Sequence, residues 1–164
     1  MTVRGYRDAD LEACRALWVE LTQWHRDIYV APEIGGDDPG ASFDEHLAAV
    51  GADNIWVAEA DERVVGFAGM IPEEKSAELE PIVVSVAYRR RGVGRALAEA
   101  VVASARDRGL RQVLVRPVGR NAEAIRFFHA QGFGVLGQIE LIFDLTASER
   151  WRPGAQIAGL DFKV

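Results

Sequence analysis

Residues 80–97 read Glu-Pro-Ile-Val-Val-Ser-Val-Ala-Tyr-Arg-Arg-Arg-Gly-Val-Gly-Arg-Ala-Leu, and the fold turns on this stretch. Its first part, residues 80–86, is a β-branched run too continuously apolar for a strand with one face in water. It predicts a strand lying centrally in a sheet. Arginines then gather at 89, 90 and 91, and glycines at 92 and 94 open a helix. At a helix start the first backbone N–H groups have no intrahelical partner and the macrodipole is positive, which suits a phosphate. Glycine at these positions lets the backbone approach phosphate oxygens with no Cβ in the way. A strand running directly into an anion cradle points to a phosphate-bearing ligand.

Downstream of the cradle, Leu97, Ala100, Val101 and Ser104 trace one helix face, and Arg106, Arg108 and Gly109 supply a favourable C-terminus. Residues 112–118 predict another buried strand, residues 121–131 a helix stopped at Gly132, and residues 138–145 a last strand. Strand, helix, strand between 80 and 118 implies a right-handed parallel crossover. Upstream, residues 55–60 and 63–71 are strands joined by Asp61-Glu62, an antiparallel hairpin. Residues 2–4 predict a short first strand. Asp8 then caps a helix whose apolar positions Leu11, Cys14, Leu17, Trp18 and Leu21 carry it to about Trp24. Residues 31–42 concentrate Pro, Gly and Asp and read as a loop before a short helix at 43–50. The expected fold is α/β: a mixed, mostly antiparallel central sheet with one parallel crossover pair and helices on both faces.

A chain of 164 residues, 49% hydrophobic and 27% charged, is the size of a single domain with a substantial core. We divide it into helices and loop at 1–51, a core at 52–145 and a tail at 146–164. In the tail, Trp151, Leu160 and Phe162 carry enough apolar weight to dock. Twenty-five acidic against nineteen basic residues give a formal charge of −6, with no dense basic cluster outside 89–95. General nucleic-acid binding is excluded on that ground. The single cysteine, Cys14, forms no intramolecular disulfide and no signal-peptide pattern precedes it, so a cytoplasmic location is expected. No stretch approaches the roughly 18 apolar residues of a membrane span, and no membrane association is expected.

Two stretches resemble the GCN5-related N-acetyltransferase family, whose members move an acyl group from acetyl-coenzyme A (acetyl-CoA) to an amine. Arg89-Arg90-Arg91-Gly92-Val93-Gly94 is similar to the family's Gln/Arg-x-x-Gly-x-Gly/Ala signature, after the expected β run and before the expected Ala-Leu helix. Residues 121–133, Asn-Ala-Glu-Ala-Ile-Arg-Phe-Phe-His-Ala-Gln-Gly-Phe, resemble its Asn-x-x-Ala-x-x-Phe-Tyr-x-x-x-Gly-Phe segment. The resemblance covers residues 80–133 and implies the acyl-CoA N-acyltransferase fold, with the first 51 residues on the acceptor side. It implies that pantetheine pairs with the backbone of Ile82, Val83, Val84, Ser85 and Val86. Arg89, Arg90, Arg91, Gly92, Val93, Gly94 and Arg95 would form the pyrophosphate cradle, joined by Asn121, Ala124, Phe127 and Phe128. Other nucleotide sites fit less well: the third glycine of G-x-G-x-x-G is missing and no G-x-x-x-x-G-K-[ST] occurs.

Acyl transfer requires a neutral nucleophile, stabilisation of the thioester oxygen as it gains charge, and a proton for the departing thiolate. The family implies an oxyanion donor among the backbone N–H groups around residues 84–86. Glu80, with Glu78 beside it, stands where family members often place a general base; a solvated carboxylate at a strand start is the alternative. His25 has a pKa suited to proton transfer near neutrality, against an ordinary surface or cap histidine. Phe128 stands where the family usually has tyrosine, so tyrosine-assisted thiolate protonation is in doubt. His129, its neighbour on the helix, points elsewhere. Trp24, His25, Tyr29, Glu33, Asp37, Asp38, Asp44 and Glu45 would border an acidic mouth for a cationic amine, on a small molecule or peptide. Asp-Asp-Pro-Gly is also ordinary turn chemistry. Two functions follow: an acetyl-CoA-dependent N-acetyltransferase with no metal, or a non-catalytic acyl-CoA-binding sensor or structural partner of the same fold. A homodimer, common in the family, stays open.

Overall fold

The computed structural model describes residues 1–145 and 151–164 of the chain, which divides into two units, Met1–Val115 and Arg116–Val164. In the first unit the order is β1 (Thr2–Gly5), α1 (Leu11–Tyr29), α2 (Ala41–Val50), β2 (Ile55–Ala60), β3 (Arg63–Pro72), β4 (Ser76–Val84), α3 (Val93–Asp107) and β5 (Gln112–Leu114). The strands lie in the order β1-β2-β3-β4-β5, antiparallel throughout except for the parallel pair β4–β5. The hairpin turn between β2 and β3 is Asp61-Glu62, both at positive φ (51° and 60°), the backbone hand that matches strand twist in a two-residue loop.

Successive residues of a strand point to opposite faces, and β3 shows which helices lie on which face. Phe67 is fully buried and packs against Phe43 of α2 (ring centroids 5.2 Å apart) and Trp18 of α1 (6.1 Å). Tyr6, Cys14, Leu17, Ile55, Val57 and Val83 complete this cluster. Its neighbour Gly66 faces α3: a Cβ there would lie 3.3 Å from both Leu97 and Val93 side chains. Helices therefore cover both faces, as the expected fold requires.

Several boundaries differ from expectation, each for a physical reason. Asp8 opens a 3-10 turn, Asp8–Asp10, and Asp10 is the residue that organises the start of α1. The Asp10 carboxylate is buried, takes two hydrogen bonds from the Arg4 guanidinium (2.7 and 2.9 Å) and a third from the Arg7 N–H (2.8 Å). α1 runs on to Tyr29 rather than stopping near Trp24, because the loop beyond folds back on it. Arg26 donates to the carbonyls of Ile34 (2.8 Å) and Gly36 (2.9 Å). β4 begins at Ser76, not at residue 80; Ser76, Ala77, Glu78 and Leu79 are all buried, Ala77 and Glu78 having β3 on one side and β5 on the other. β5 spans three residues rather than the expected seven.

In the second unit, α4 (Ala122–Ala130) follows Asn121, and Gly132 at φ 95° ends the helical stretch. The expected strand at 138–145 does not form. A strand needs a partner edge, and among the described residues this segment pairs with none, so Phe143 and Leu145 stay 87% and 88% exposed. Of the expected tail, residues 146–150 lie outside the described residues. The rest forms the hairpin β6 (Pro153–Ile157) and β7 (Leu160–Lys163) around Ala158-Gly159, both at positive φ. Trp151 is held in this unit by a hydrogen bond from its indole N–H to Asp144 (2.5 Å) and by the Arg120 guanidinium 5.9 Å from its ring. Leu160 is 62% exposed.

Gly66 is a tight joint between β3, β4 and α3: a Cβ would sit 2.7 Å from the Val83 carbonyl oxygen and 3.3 Å from the Leu97 and Val93 side chains. Gly66→Ala should destabilise the protein by about 1–3 kcal/mol in urea unfolding, because backbone rather than a flexible side chain must move. Gly5→Ala, where a Cβ meets nothing within 4 Å, should change stability by less than about 0.5 kcal/mol.

Candidate functional site

The site is built where β4 loses one neighbour. β5 pairs with it only at Ser76, Ala77 and Glu78, whereas β3 accompanies it to Val84. Beyond Glu78 the edge that faced β5 is open within the sheet. Which backbone groups occupy that edge follows from register. In an antiparallel pair, opposed residues alternate between those that bond each other and those whose N–H and C=O point away. The Ser85 N–H donates to the Val65 carbonyl (2.9 Å), so Ser85 and Val83 face β3, and Val84 and Ile82 face outward. The Val84 carbonyl accordingly accepts from Arg89 Nε (3.2 Å). The N–H of Val84 and both polar groups of Ile82 point along the open edge.

This alternation separates the expected oxyanion donors. Ser85 N–H is committed to Val65, and Val86 N–H donates to Glu20 Oε2 of α1 at 3.0 Å. Val84 N–H is the one aimed at the open edge. After a 3-10 turn, Val86–Tyr88, the chain passes Arg90 at φ 60° and Gly92 at φ 83°, and α3 begins at Val93 with no side chain capping it. Among the described residues no side chain bonds to the amides at the start of α3, which is the condition an anion cradle would need. Val93 is buried beneath the cradle, and Gly94 lies in the first turn.

The arginine side chains do not converge on that cradle. Arg89 lies over the Trp24 ring (5.2 Å), Arg91 over the Tyr88 ring (5.2 Å), and Arg95 pairs with Glu99 one turn along α3 (2.7 Å). Arg90 is exposed. What this turn offers an anion is therefore mainly backbone.

Glu80 lies inside β4, not at its entrance. Between the pairs Ala68–Ile82 and Met70–Leu79 the register shifts by one residue, a bulge that sets Glu80 and Pro81 opposite Gly69. The bulge breaks the alternation that would put Glu80 and Ile82 on one face, and the Glu80 side chain is exposed. Glu78, in contrast, is buried at 7% exposure, not a solvated strand-start carboxylate. A Cβ on Gly69 would lie 2.5 Å from the Glu80 carbonyl oxygen and 2.6 Å from His46 Nε2, so only glycine fits beneath the bulge. His46, which sequence reasoning missed, packs on Trp18 (5.3 Å between rings), and among the described residues its Nε2 is buried without a hydrogen bond. No local pattern marks it, since the Gly69 it meets is far along the chain.

His25 falls within α1 rather than past its end. It is half-buried, its ring is 6.0 Å from that of Tyr29, and burial pushes its pKa below the ordinary value. Of the acidic residues on this side, Asp44 is bound by Arg15 (Nε to Oδ1 2.9 Å), which holds its carboxyl below the usual range. Asp38 accepts from the Ala41 N–H (3.4 Å), while Glu33, Asp37 and Glu45 are exposed. Asn121, Ala124, Phe127 and Phe128 belong to the second unit. There Asn121 Oδ1 caps α4 at the Ala124 N–H (3.0 Å). Phe128 is buried, with Phe127 and Phe133 rings 5.1 and 5.5 Å away, so it serves as core.

Residues 18–133 match the model of the family described as acetyltransferase (GNAT). Human N-acetyltransferase 8B is 30% identical over 130 residues, covering 75% of this chain and 56% of that protein. Streptothricin acetyltransferase of Streptomyces lavendulae is 30% identical over 130 residues, 74% of this chain and 65% of that one. The chain spans about half the length of the curated relatives it matches. Among solved structures, aminoglycoside N-acetyltransferase AAC(6′)-Iy in complex with CoA superposes with a TM-score of 0.63 at 22% identity, over 87% of this chain and 98% of that one. At that identity the likeness is one of fold.

Burial lowers the pKa of both His25 and His46, so the folded state favours their neutral forms. Their contribution to stability is present above the unfolded value of about 6.5 and is lost as pH falls below it. Urea midpoints should drop between pH 7.5 and 5.5, and His25→Gln with His46→Gln should flatten that slope. The carboxylates Asp10 and Asp44, lowered by their arginines, act only in a more acidic window, below about pH 4.

Proposed function

The chain belongs to the acetyltransferase (GNAT) family, and from that premise we propose that it transfers the acetyl group of acetyl-CoA to a primary amine of a small molecule or peptide. Transfer is by direct attack in a ternary complex. The observation that carries this reading is the continuity of an open β4 edge with the uncapped start of α3. A CoA molecule has an amide-bearing arm at one end and a pyrophosphate at the other. The outward groups of Ile82 and Val84 match the arm as an added strand would, and the amides of residues 91–95 match the phosphates.

In the reaction a neutral amine attacks the thioester carbonyl, the carbon–sulfur bond breaks, and the sulfur leaves with the electron pair. Val84 N–H is the donor for the oxygen that gains charge. Glu80, exposed at the bulge, takes the amine proton directly or through water. His25, kept neutral by burial, is the second base. Phe128 has no proton to give, so the departing thiolate takes one from water or from the ammonium. A cationic acceptor fits the exposed carboxylates Glu33, Asp37 and Glu45 rather than Asp44, which Arg15 already neutralises. Relatives named for streptothricin and aminoglycosides favour polyamine-like acceptors.

An amine panel with detection of released thiol tests this. At least one amine should raise thiol release above the amine-free rate. If none does while acetyl-CoA still raises Tm, the protein is an acyl-CoA-binding sensor, the reading that Phe128 favours; if acetyl-CoA leaves Tm unchanged, both readings fall. Gly92→Val forces a β-branched residue to φ 83° and should weaken CoA binding at least tenfold, about 1.4 kcal/mol. With an acceptor in hand, Glu80→Gln should remove the acidic limb of the kcat profile. An unchanged profile would assign the base to His25 or water.

A further inference from the structure

Glu20, in the middle of α1, reaches a turn 65 residues away. Its Oε1 accepts from the Ser85 hydroxyl (3.0 Å) and its Oε2 from the Val86 N–H (3.0 Å). Four residues on, along the same helix face, Trp24 lies under the guanidinium of Arg89, whose Nε holds the Val84 carbonyl. α1 thus grips the chain on both sides of the turn that leads from the open strand edge to the cradle. We propose that Glu20 is a positioning residue for acetyl-CoA: its carboxylate fixes the turn that aims the cradle's amides at the pyrophosphate. The proposal rests on the CoA-binding reading above.

Electrostatics alone argues for the opposite residue. A carboxylate near a cradle for a polyanion repels the ligand, and it occupies a hydroxyl and an N–H that an anion could otherwise use. Its compensation is geometric. Two charge-assisted hydrogen bonds to adjacent residues leave the turn one arrangement, the one to the Ser85 hydroxyl partly buried. Glutamine in the same place can keep both contacts, its oxygen toward the Val86 N–H and its NH2 toward the Ser85 oxygen, without the charge. Alanine keeps neither.

The two substitutions therefore separate clamp from charge. Kd for CoA, measured by calorimetry on the full chain, should rise at least about tenfold in Glu20→Ala, the scale of one lost charge-assisted bond, and stay within about threefold in Glu20→Gln. In turnover, the alanine variant should raise KM for acetyl-CoA with kcat at saturation little changed, a split that general loss of stability would not produce. Tighter or unchanged CoA binding in Glu20→Ala overturns the proposal. Should that variant fail to fold, Ser85→Ala removes one arm and should weaken CoA severalfold; unchanged affinity there overturns it equally. Wild-type protein that does not bind CoA would instead overturn the proposed function, which keeps the two failures distinct.

Discussion

The hydrogen bond from Ser85 to Val65 sets the register on which the rest of the site depends. Because bonding pairs alternate along an antiparallel ladder, that one contact decides that Val83 turns its polar groups to β3 and Ile82 and Val84 turn theirs outward. The same register puts Phe67 into the aromatic cluster and Gly66 under α3. A slip of one residue would exchange the two faces of β3 and send the outward amides of β4 into the sheet.

Glycines do two different jobs around this strand pair. Gly66 and Gly69 are places where another group occupies the volume of a side chain: the Val83 carbonyl with α3 at one, the bulged Glu80 carbonyl with His46 at the other. Gly92 has open space around it and is needed for its positive φ, which turns the chain into α3. The first two bring elements close; the third leaves room for a ligand. Together they explain how a well-packed core ends abruptly in exposed backbone donors.

The site's charges are more tethered than a run of three arginines implies. Arg89, Arg91 and Arg95 each have a local partner, and the negative end of the arrangement, Glu20, lies on the opposing helix. The arginines hold the shape of the turn and raise its potential from a distance, while the amides are left for direct contact. The buried carboxylates follow the same rule of obligatory pairing: Asp10 is tolerated in the interior because Arg4 meets it with two hydrogen bonds.

What the sequence by itself determined is the local backbone chemistry. The Asp61-Glu62 turn, the glycine-opened start of α3 and the Gly132 stop could be read because each depends on conformational preferences of a few adjacent residues. The family pattern extended that reading to the ligand. The bulge at Glu80, the burial of Glu78 and of His46 Nε2, and the clamp from Glu20 were decided only by tertiary structure. So was the failure of residues 138–145 to form a strand, although their pattern is strand-like. Periodicity reports which residues want a partner, but pairing register and strand order decide which ones receive it, and those are set by contacts between residues tens of positions apart.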